Sequence, residues 1–266
     1  MNRAAIIFQV FFKSIFKPKM MKDLIEERKQ TEKNEVHKIH KYEYDFISIE
    51  KFFTKIFPNY DYKKYESEFI VLETHIEKFF QKLELYKYPS ENKPYPINYS
   101  INSDSRKFLY HLCRAHKPEK IVETGVAYGI SSTYILKALH DNEFGMLYSI
   151  DSVFRPWQTE KMIGSVIPDM LRTRWNLVLG KSMEKLYNLL NKLNDVDIFI
   201  HDSSHTYDNM IFEFSIALDK INKNGIIISD DILSNDAFYD FTKNKKLENY
   251  VIKVQENSGL GIIRKI

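Results

Sequence analysis

Acidic and histidine side chains cluster at two places where an apolar run ends. Carboxylates that meet at adjoining strand ends repel each other unless a cation or a proton lies between them. The cluster is therefore typical of a functional site, although structural roles stay open for single residues, such as a helix cap near Asn235 or a helix start at His205. The residues concerned are His201, Asp202 and His205 after one run, and Asp230 and Asp231 after another.

A second candidate site is the segment 123–129, which begins with Glu123 and whose two glycines, Gly125 and Gly129, lie four residues apart. At a turn from a strand into a helix, such glycines let the backbone approach a ligand, and the amides of Ile130 and Ser131 open the helix N-terminus. The segment lacks the G-x-G-x-x-G pattern of dinucleotide binders and the G-K-[ST] of P-loops. A turn that merely starts a helix would also account for it.

Asp151 ends the next apolar run, 26 residues after Gly125. A carboxylate in this place can accept hydrogen bonds from both hydroxyls of a ribose. Together with the glycine loop, it predicts a site for adenosine or a related nucleoside. Lys181 and Ser182 follow a third run, where they could border an adenine or cap a helix.

These residues lie in a stretch where short apolar runs alternate with helical patterns. The predicted strands are 121–123, 146–150, 177–179, 196–200 and 225–229, and the predicted helices are 104–116, 131–139, 183–193 and 209–221. Such alternation predicts an α/β fold, a doubly wound and mostly parallel sheet covered by helices on both faces. The tail, at 250–254 and 259–263, predicts two final strands joined by a tight loop.

Residues 1–100 have a different pattern. Residues 21–87 are rich in Lys, Glu, Tyr and Phe at helical spacing, and three prolines in 88–100 indicate a linker or a strap. We predict a helical appendage over 1–100 and a catalytic domain over 101–266. Residues 1–20 predict a basic amphipathic helix that packs on the chain's own core or on a second copy in a homo-oligomer, with peripheral membrane contact as the open alternative.

Composition excludes several classes of protein. The chain has 266 residues, 44% of them hydrophobic, and a net charge of +3, so disorder throughout is excluded and no overall drive toward nucleic acid follows. Its single cysteine, Cys113, excludes a disulfide scaffold and fits a reducing, cytoplasmic location. The longest apolar stretch, residues 4–12, falls short of the roughly 20 residues that a membrane span needs.

Four segments resemble class I S-adenosylmethionine-dependent methyltransferases, of the branch that often modifies sugars and small molecules. They are 122–132 (VETGVAYGISS), 148–151 (YSID), 199–207 (FIHDSSHTY) and 225–231 (GIIISDD). The resemblance covers roughly residues 101–266 and implies a Rossmann-like sheet with a final antiparallel strand.

The resemblance also implies roles for individual residues. Asp151 would hold the ribose and Ser182 would lie near the adenine, while the methionine and ribose side would be lined by Glu123, Gly125, Ala127 and Gly129, with the helix N-terminus at Ser131 beside them. Asp202 would border the cofactor as well. In metal-dependent relatives, acids in the places of Asp202, Asp230 and Asp231 ligate a divalent cation, here most simply Mg²⁺.

We therefore predict methyl transfer from S-adenosylmethionine to an oxygen of a sugar-like or hydroxylated small molecule, with His205 as the first candidate base and His201 behind it. The acids either bind magnesium or accept hydrogen bonds from the acceptor. The N/D-P-P-Y motif of amino-group nucleic-acid methylases is missing, so no nucleic-acid partner is expected. The alternative is a nucleoside-binding Rossmann-like protein that is non-catalytic or runs another reaction.

Overall fold

The computed structural model describes residues 12, 18–36, 44–97, 100–245, 247–255 and 258–266. The predicted amphipathic helix of residues 1–20 therefore lies outside the described residues, apart from residues 12 and 18–20, and so does the loop at 256–257. None of the described helices is both long and apolar enough to span a membrane.

The helices and strands alternate from residue 103 onward, as predicted. The α-helices are α1 (Pro18–Val36), α2 (Ile49–Ile56), α3 (Glu66–Glu84), α4 (Ser103–His116), α5 (Ile130–Asp141), α6 (Ser182–Leu193), α7 (Tyr207–Lys220) and α8 (Ala237–Lys245). The strands are β1 (Phe46–Ile47), β2 (Lys120–Thr124), β3 (Met146–Asp151), β4 (Trp175–Leu179), β5 (Val196–His201), β6 (Ile221–Ser229), β7 (Glu248–Gln255) and β8 (Ser258–Arg264). Short 3₁₀ helices occupy Tyr62–Tyr65, Glu160–Met162 and Asp169–Arg174.

One eight-stranded sheet organises these elements, with the order β1-β7-β8-β6-β5-β2-β3-β4. All neighbouring pairs are parallel except β6 with β8 and β7 with β8. The order reverses between β2 and β5, which is where an open α/β sheet binds its ligands. The predicted fold class is confirmed, including the hairpin tail and its antiparallel last strand.

Successive residues of the central strands face opposite sides of the sheet, and each side has its own apolar cluster. In β5, Ile198 and Ile200 belong to the cluster beneath α4 and α5, whereas Phe199 belongs to the cluster beneath α6, α7 and α8. Both faces of a parallel sheet are buried, so its strands read as continuous apolar runs. This is why the strands were recognisable in the sequence.

The first cluster also takes in residues from the N-terminal part. Phe52 of α2 is buried, and its ring lies 5.4 Å from that of Phe108 and 5.6 Å from that of Tyr250. Strand β1 pairs with β7 at the edge of the sheet. Residues 44–97 thus share a core with the sheet, and the division into 1–100 and 101–266 stays a prediction.

Replacing Phe52 tests this shared core. Because Phe→Ala changes in a core cost about 3–5 kcal/mol, we expect Phe52→Ala to lower the free energy of unfolding by that amount in a single transition. Urea denaturation followed by circular dichroism measures it, with exposed Lys51→Ala as the control, expected within about 0.5 kcal/mol of wild type. An unchanged midpoint for Phe52→Ala would show that α2 contributes nothing to the stability of the sheet.

Candidate functional site

The glycine loop between β2 and α5 packs directly against the end of β5. A Cβ atom on Gly125 would lie 1.9 Å from the backbone oxygen of Asp202, and the φ of Gly125 is +85°. Gly129, with a φ of +89°, is the N-cap of α5, so the helix begins at Ile130 as expected. Any larger residue at Gly125 would push the loop away from β5.

Asp151 holds this loop in place. Its Oδ2 atom accepts hydrogen bonds from the backbone amides of Val126, at 3.0 Å, and Ala127, at 2.7 Å, and its Oδ1 atom accepts one from the amide of Ser152. Burial raises the pKa of Asp151, and these three amides oppose the rise. The carboxylate lies where the sequence predicted it, at the end of β3, and it also fixes the backbone of the loop.

Glu123 lies beneath the loop, fully buried. It accepts hydrogen bonds from the hydroxyls of Ser131 at 2.6 Å, Ser132 at 2.6 Å and Ser149 at 2.9 Å. Burial raises the pKa of Glu123 to about 7, against the effect of the three serine hydroxyls. In this structure Glu123 ties the start of α5 to strands β2 and β3.

The predicted acid cluster is brought together at the ends of β5 and β6. The His205 Nε2 atom lies 3.5 Å from Asp202 Oδ1 and 3.7 Å from Asp231 Oδ2. Burial lowers the pKa of His205, but the contact with Asp202 and the charges of Asp202, Asp231 and Asp230 raise it to about 9. Burial, followed by the charges of Asp202 and Asp231, raises the pKa of Asp230 to about 7. His205 is therefore the cation that these carboxylates share.

The predicted magnesium site does not fit this arrangement. Within the described ranges, no group of three or more histidine, cysteine, aspartate or glutamate side chains is arranged to hold a metal ion. Asp202 and Asp231 both approach the imidazole of His205, which offsets part of the charge that was expected to require a metal.

His201 lies deeper and belongs to a buried polar network around Glu213. Its Nδ1 atom lies 2.7 Å from Glu213 Oε2, and the same carboxylate accepts hydrogen bonds from Thr124 at 2.6 Å and Ser203 at 2.7 Å. Burial raises the pKa of Glu213, but the charge and hydrogen bond of His201, with further hydroxyl donors, bring it down to about 2. His201 is fully buried, with its ring 5.3 Å from that of His205.

Ser182 begins α6, directly after the N-cap residue Lys181. Its hydroxyl lies 3.4 Å from the Asn209 Oδ1 atom on α7. The ends of β4 and β5 are thus linked through the first turns of the helices that follow them, which places Ser182 on the same edge of the sheet as Asp202.

A small cavity of about 10 Å³ lies between helix α5 and the acid cluster. It is lined by Ile101, Ser105, Leu109, Ser131, Ile200, Asp202, Ile228, Asp230 and Leu260. Of the predicted site residues, Ser131, Asp202 and Asp230 meet here.

Tyr95 is a candidate site residue that sequence reasoning missed. Its backbone amide donates to the Tyr128 hydroxyl at 3.2 Å, and that hydroxyl donates to the Tyr95 carbonyl at 2.9 Å. The Tyr95 hydroxyl is buried without a hydrogen-bond partner among the described residues. Burial and the nearby charge of Asp151 raise its pKa. A buried hydroxyl that none of the described residues pairs suits a polar ligand. A tyrosine between two prolines was the only signal in the sequence.

Comparisons with known proteins agree with this geometry. Residues 122–232 match a family model described as a methyltransferase domain. No curated protein matches the sequence.

Solved structures of methyltransferases share the fold. An O-methyltransferase from Bacillus cereus in complex with SAH superposes with a TM-score of 0.56 at 16% identity, covering 82% of this chain and 97% of that one. The SAH-bound methyltransferase PaMTH1 of Podospora anserina gives a TM-score of 0.52 at 15% identity, covering 76% and 96%. The O-methyltransferase TomG of Streptomyces achromogenes, in complex with SAM and involved in tomaymycin synthesis, gives 0.50 at 15% identity, covering 64% and 83%.

The segment that matches the family model contains the glycine loop, Asp151 and the whole acid cluster. Residues 122–232 are therefore similar to a methyltransferase domain, and the sheet has the fold of the solved methyltransferases.

Proposed function

We propose that the chain methylates an oxygen of a small, hydroxylated, sugar-like acceptor. The observation that carries this proposal is that Ser131, beside the glycine loop, lines one small cavity together with Asp202 and Asp230 of the acid cluster. Groups suited to a cofactor and groups suited to moving a proton thus border one space. The Bacillus cereus protein and TomG are both described as O-methyltransferases, which supports oxygen as the acceptor atom.

The residues around the glycine loop suit S-adenosylmethionine. Asp151 Oδ1 accepts one backbone amide, and a carboxylate oxygen has capacity for a second donor, so a ribose hydroxyl can be added. The Tyr95 hydroxyl, which has no partner among the described residues and feels the charge of Asp151, offers a further donor. We assign Gly125, Ala127, Gly129 and Ser131 to the methionine side and Ser182 to the adenine side.

Bound S-adenosylmethionine supplies an electrophilic methyl group on a positively charged sulfur. What the protein must add is alignment and removal of a proton from the acceptor hydroxyl. We propose that His205 removes this proton. Asp202, Asp230 and Asp231 accept hydrogen bonds from neighbouring hydroxyls of the acceptor. His201 is fully buried, so we assign it to packing against the His205 ring, 5.3 Å away.

Removing the Asp151 carboxylate should weaken cofactor binding. A hydrogen bond to a charged group contributes about 1.5–3 kcal/mol, so the loss of the one that Asp151 Oδ1 can offer should lower the affinity of Asp151→Ala for S-adenosylmethionine by roughly 10- to 100-fold. Isothermal titration calorimetry measures the dissociation constant. The control is Asp169→Ala, which removes a fully exposed carboxylate. An Asp151→Ala protein that binds as tightly as this control would refute the assignment.

The pH dependence of methyl transfer tests His205. With a pKa of about 9, its imidazole is protonated at neutral pH and becomes a base as the pH rises. The rate constant should therefore increase about tenfold per pH unit up to about 9 and then level off. Single-turnover rates with tritiated S-adenosylmethionine provide the profile, and His205→Gln should abolish the rising limb. A flat wild-type profile would rule out His205 as the base.

Chelation of metal ions tests whether the aspartates bind magnesium or accept hydrogen bonds from the acceptor. Because His205 lies between Asp202 and Asp231, we expect full methyl transfer after exhaustive EDTA treatment and no gain on adding magnesium. Activity lost in EDTA, restored by magnesium and absent in Asp230→Ala would establish the metal site instead.

A further inference from the structure

Helix α1, which lies outside the segment that matches the family model, contacts the loop that carries His205. The Asn34 side chain makes two hydrogen bonds there. Its Nδ2 atom donates to the His205 carbonyl at 3.3 Å, and its Oδ1 atom accepts from the Tyr207 amide at 2.7 Å. One side chain therefore holds the backbone on both sides of Thr206.

The Tyr207 amide is one that α7 cannot satisfy by itself. The first amides of a helix have no partner within the helix, and the N-cap side chain normally accepts from one of them. The N-cap residue of α7 is Thr206, whose side chain makes no such bond. Its hydroxyl donates instead to Gln30 Oε1 on α1, at 3.1 Å. Helix α1 thus provides the cap that α7 lacks.

The contacts that the His205 ring itself makes hold it only weakly. Its Nε2 contacts, at 3.5 and 3.7 Å, are longer than ordinary hydrogen bonds, and its Nδ1 atom is buried without a partner among the described residues. The orientation of the ring therefore depends on the backbone that bears it. The His205 carbonyl accepts from two amide side chains, Asn34 at 3.3 Å and Asn235 at 3.0 Å.

Two ion pairs hold α1 in this position. Lys33 pairs with Asp208 on the first turn of α7, at 3.2 Å, beside the Asn34 contacts. Toward the other end of the helix, Asp23 pairs with Lys181, the N-cap residue of α6, at 2.5 Å. The helix therefore bridges the starts of α6 and α7, which follow the strand ends assigned to the adenine and to the base.

We propose that Asn34 is a positioning residue for methyl transfer, which fixes the loop 205–207 so that His205 meets the acceptor hydroxyl. This role rests on the proposed function of His205. It places part of the machinery in a helix that the methyltransferase domain does not include. Loss of Asn34 should impair turnover, because the ring loses its alignment, and leave the cofactor side of the cleft intact.

The test compares Asn34→Ala with Arg28→Ala on the same helix, since Arg28 is largely exposed and its ion pair in the described part of the chain is with Glu32, at 3.3 Å. With tritiated S-adenosylmethionine and the monosaccharide or phenol that wild type methylates, we expect kcat of Asn34→Ala to fall about tenfold, as for the loss of one or two ordinary hydrogen bonds. The dissociation constant of S-adenosylhomocysteine should stay within about twofold of wild type in both variants. Equal kcat values for the two variants would overturn the proposal.

A conservative variant and a measurement without turnover complete the test. Asn34→Asp keeps the acceptor for the Tyr207 amide, so it should preserve slow hydrogen exchange at that amide and recover most of kcat, whereas Asn34→Ala should speed exchange about tenfold. Unchanged exchange in Asn34→Ala would overturn the positioning role. A wild-type protein that binds S-adenosylhomocysteine but transfers no methyl group would instead overturn the proposed function, and the exchange result would still report on Asn34.

Discussion

The parallel pairing of β2 with β5 is the constraint on which the site depends. This pairing sets Thr124 opposite His201, and the Asp202 amide continues the ladder with a hydrogen bond to the Thr124 carbonyl at 2.9 Å. The glycine loop leaves β2 at the same level, with Gly125 pressed against the Asp202 backbone. A shift of the register by one residue would turn the His201 side chain to the opposite face and separate the loop from the acid cluster.

Two buried carboxylates secure this junction on either side. Glu123 joins β2, β3 and α5 through three serine hydroxyls, and Glu213 joins β2, the end of β5 and α7 through Thr124, His201 and Ser203. A buried carboxylate is costly unless hydrogen bonds compensate it, and each of these has at least three. The two carboxyl groups differ in pKa. Burial dominates at Glu123 and raises its pKa to about 7. At Glu213 the contact with His201 brings the pKa down to about 2.

The parts of the structure that were predictable are those whose signal is local. Apolar runs marked the strands because both faces of the sheet are buried, and the residues after each run marked the ligand-binding edge. The magnesium site was inferred from acids on adjoining strands, a pattern that fixes their strand ends and leaves the distances between their oxygens open. In the structure the His205 Nε2 atom lies 3.5 Å from Asp202 Oδ1 and 3.7 Å from Asp231 Oδ2, a contact that the sequence pattern did not reveal.

Residues that meet the site from distant segments could not be found in this way. Tyr95 and Asn34 stand in no motif, and each becomes recognisable only through a polar group on its partner: the Tyr128 hydroxyl for the first and the Tyr207 amide for the second. Both partners lie within residues 122–232, whereas Tyr95 and Asn34 lie outside that segment. The segment that matches the methyltransferase-domain model therefore takes hydrogen-bond partners for the glycine loop and for the loop 205–207 from the N-terminal part of the chain.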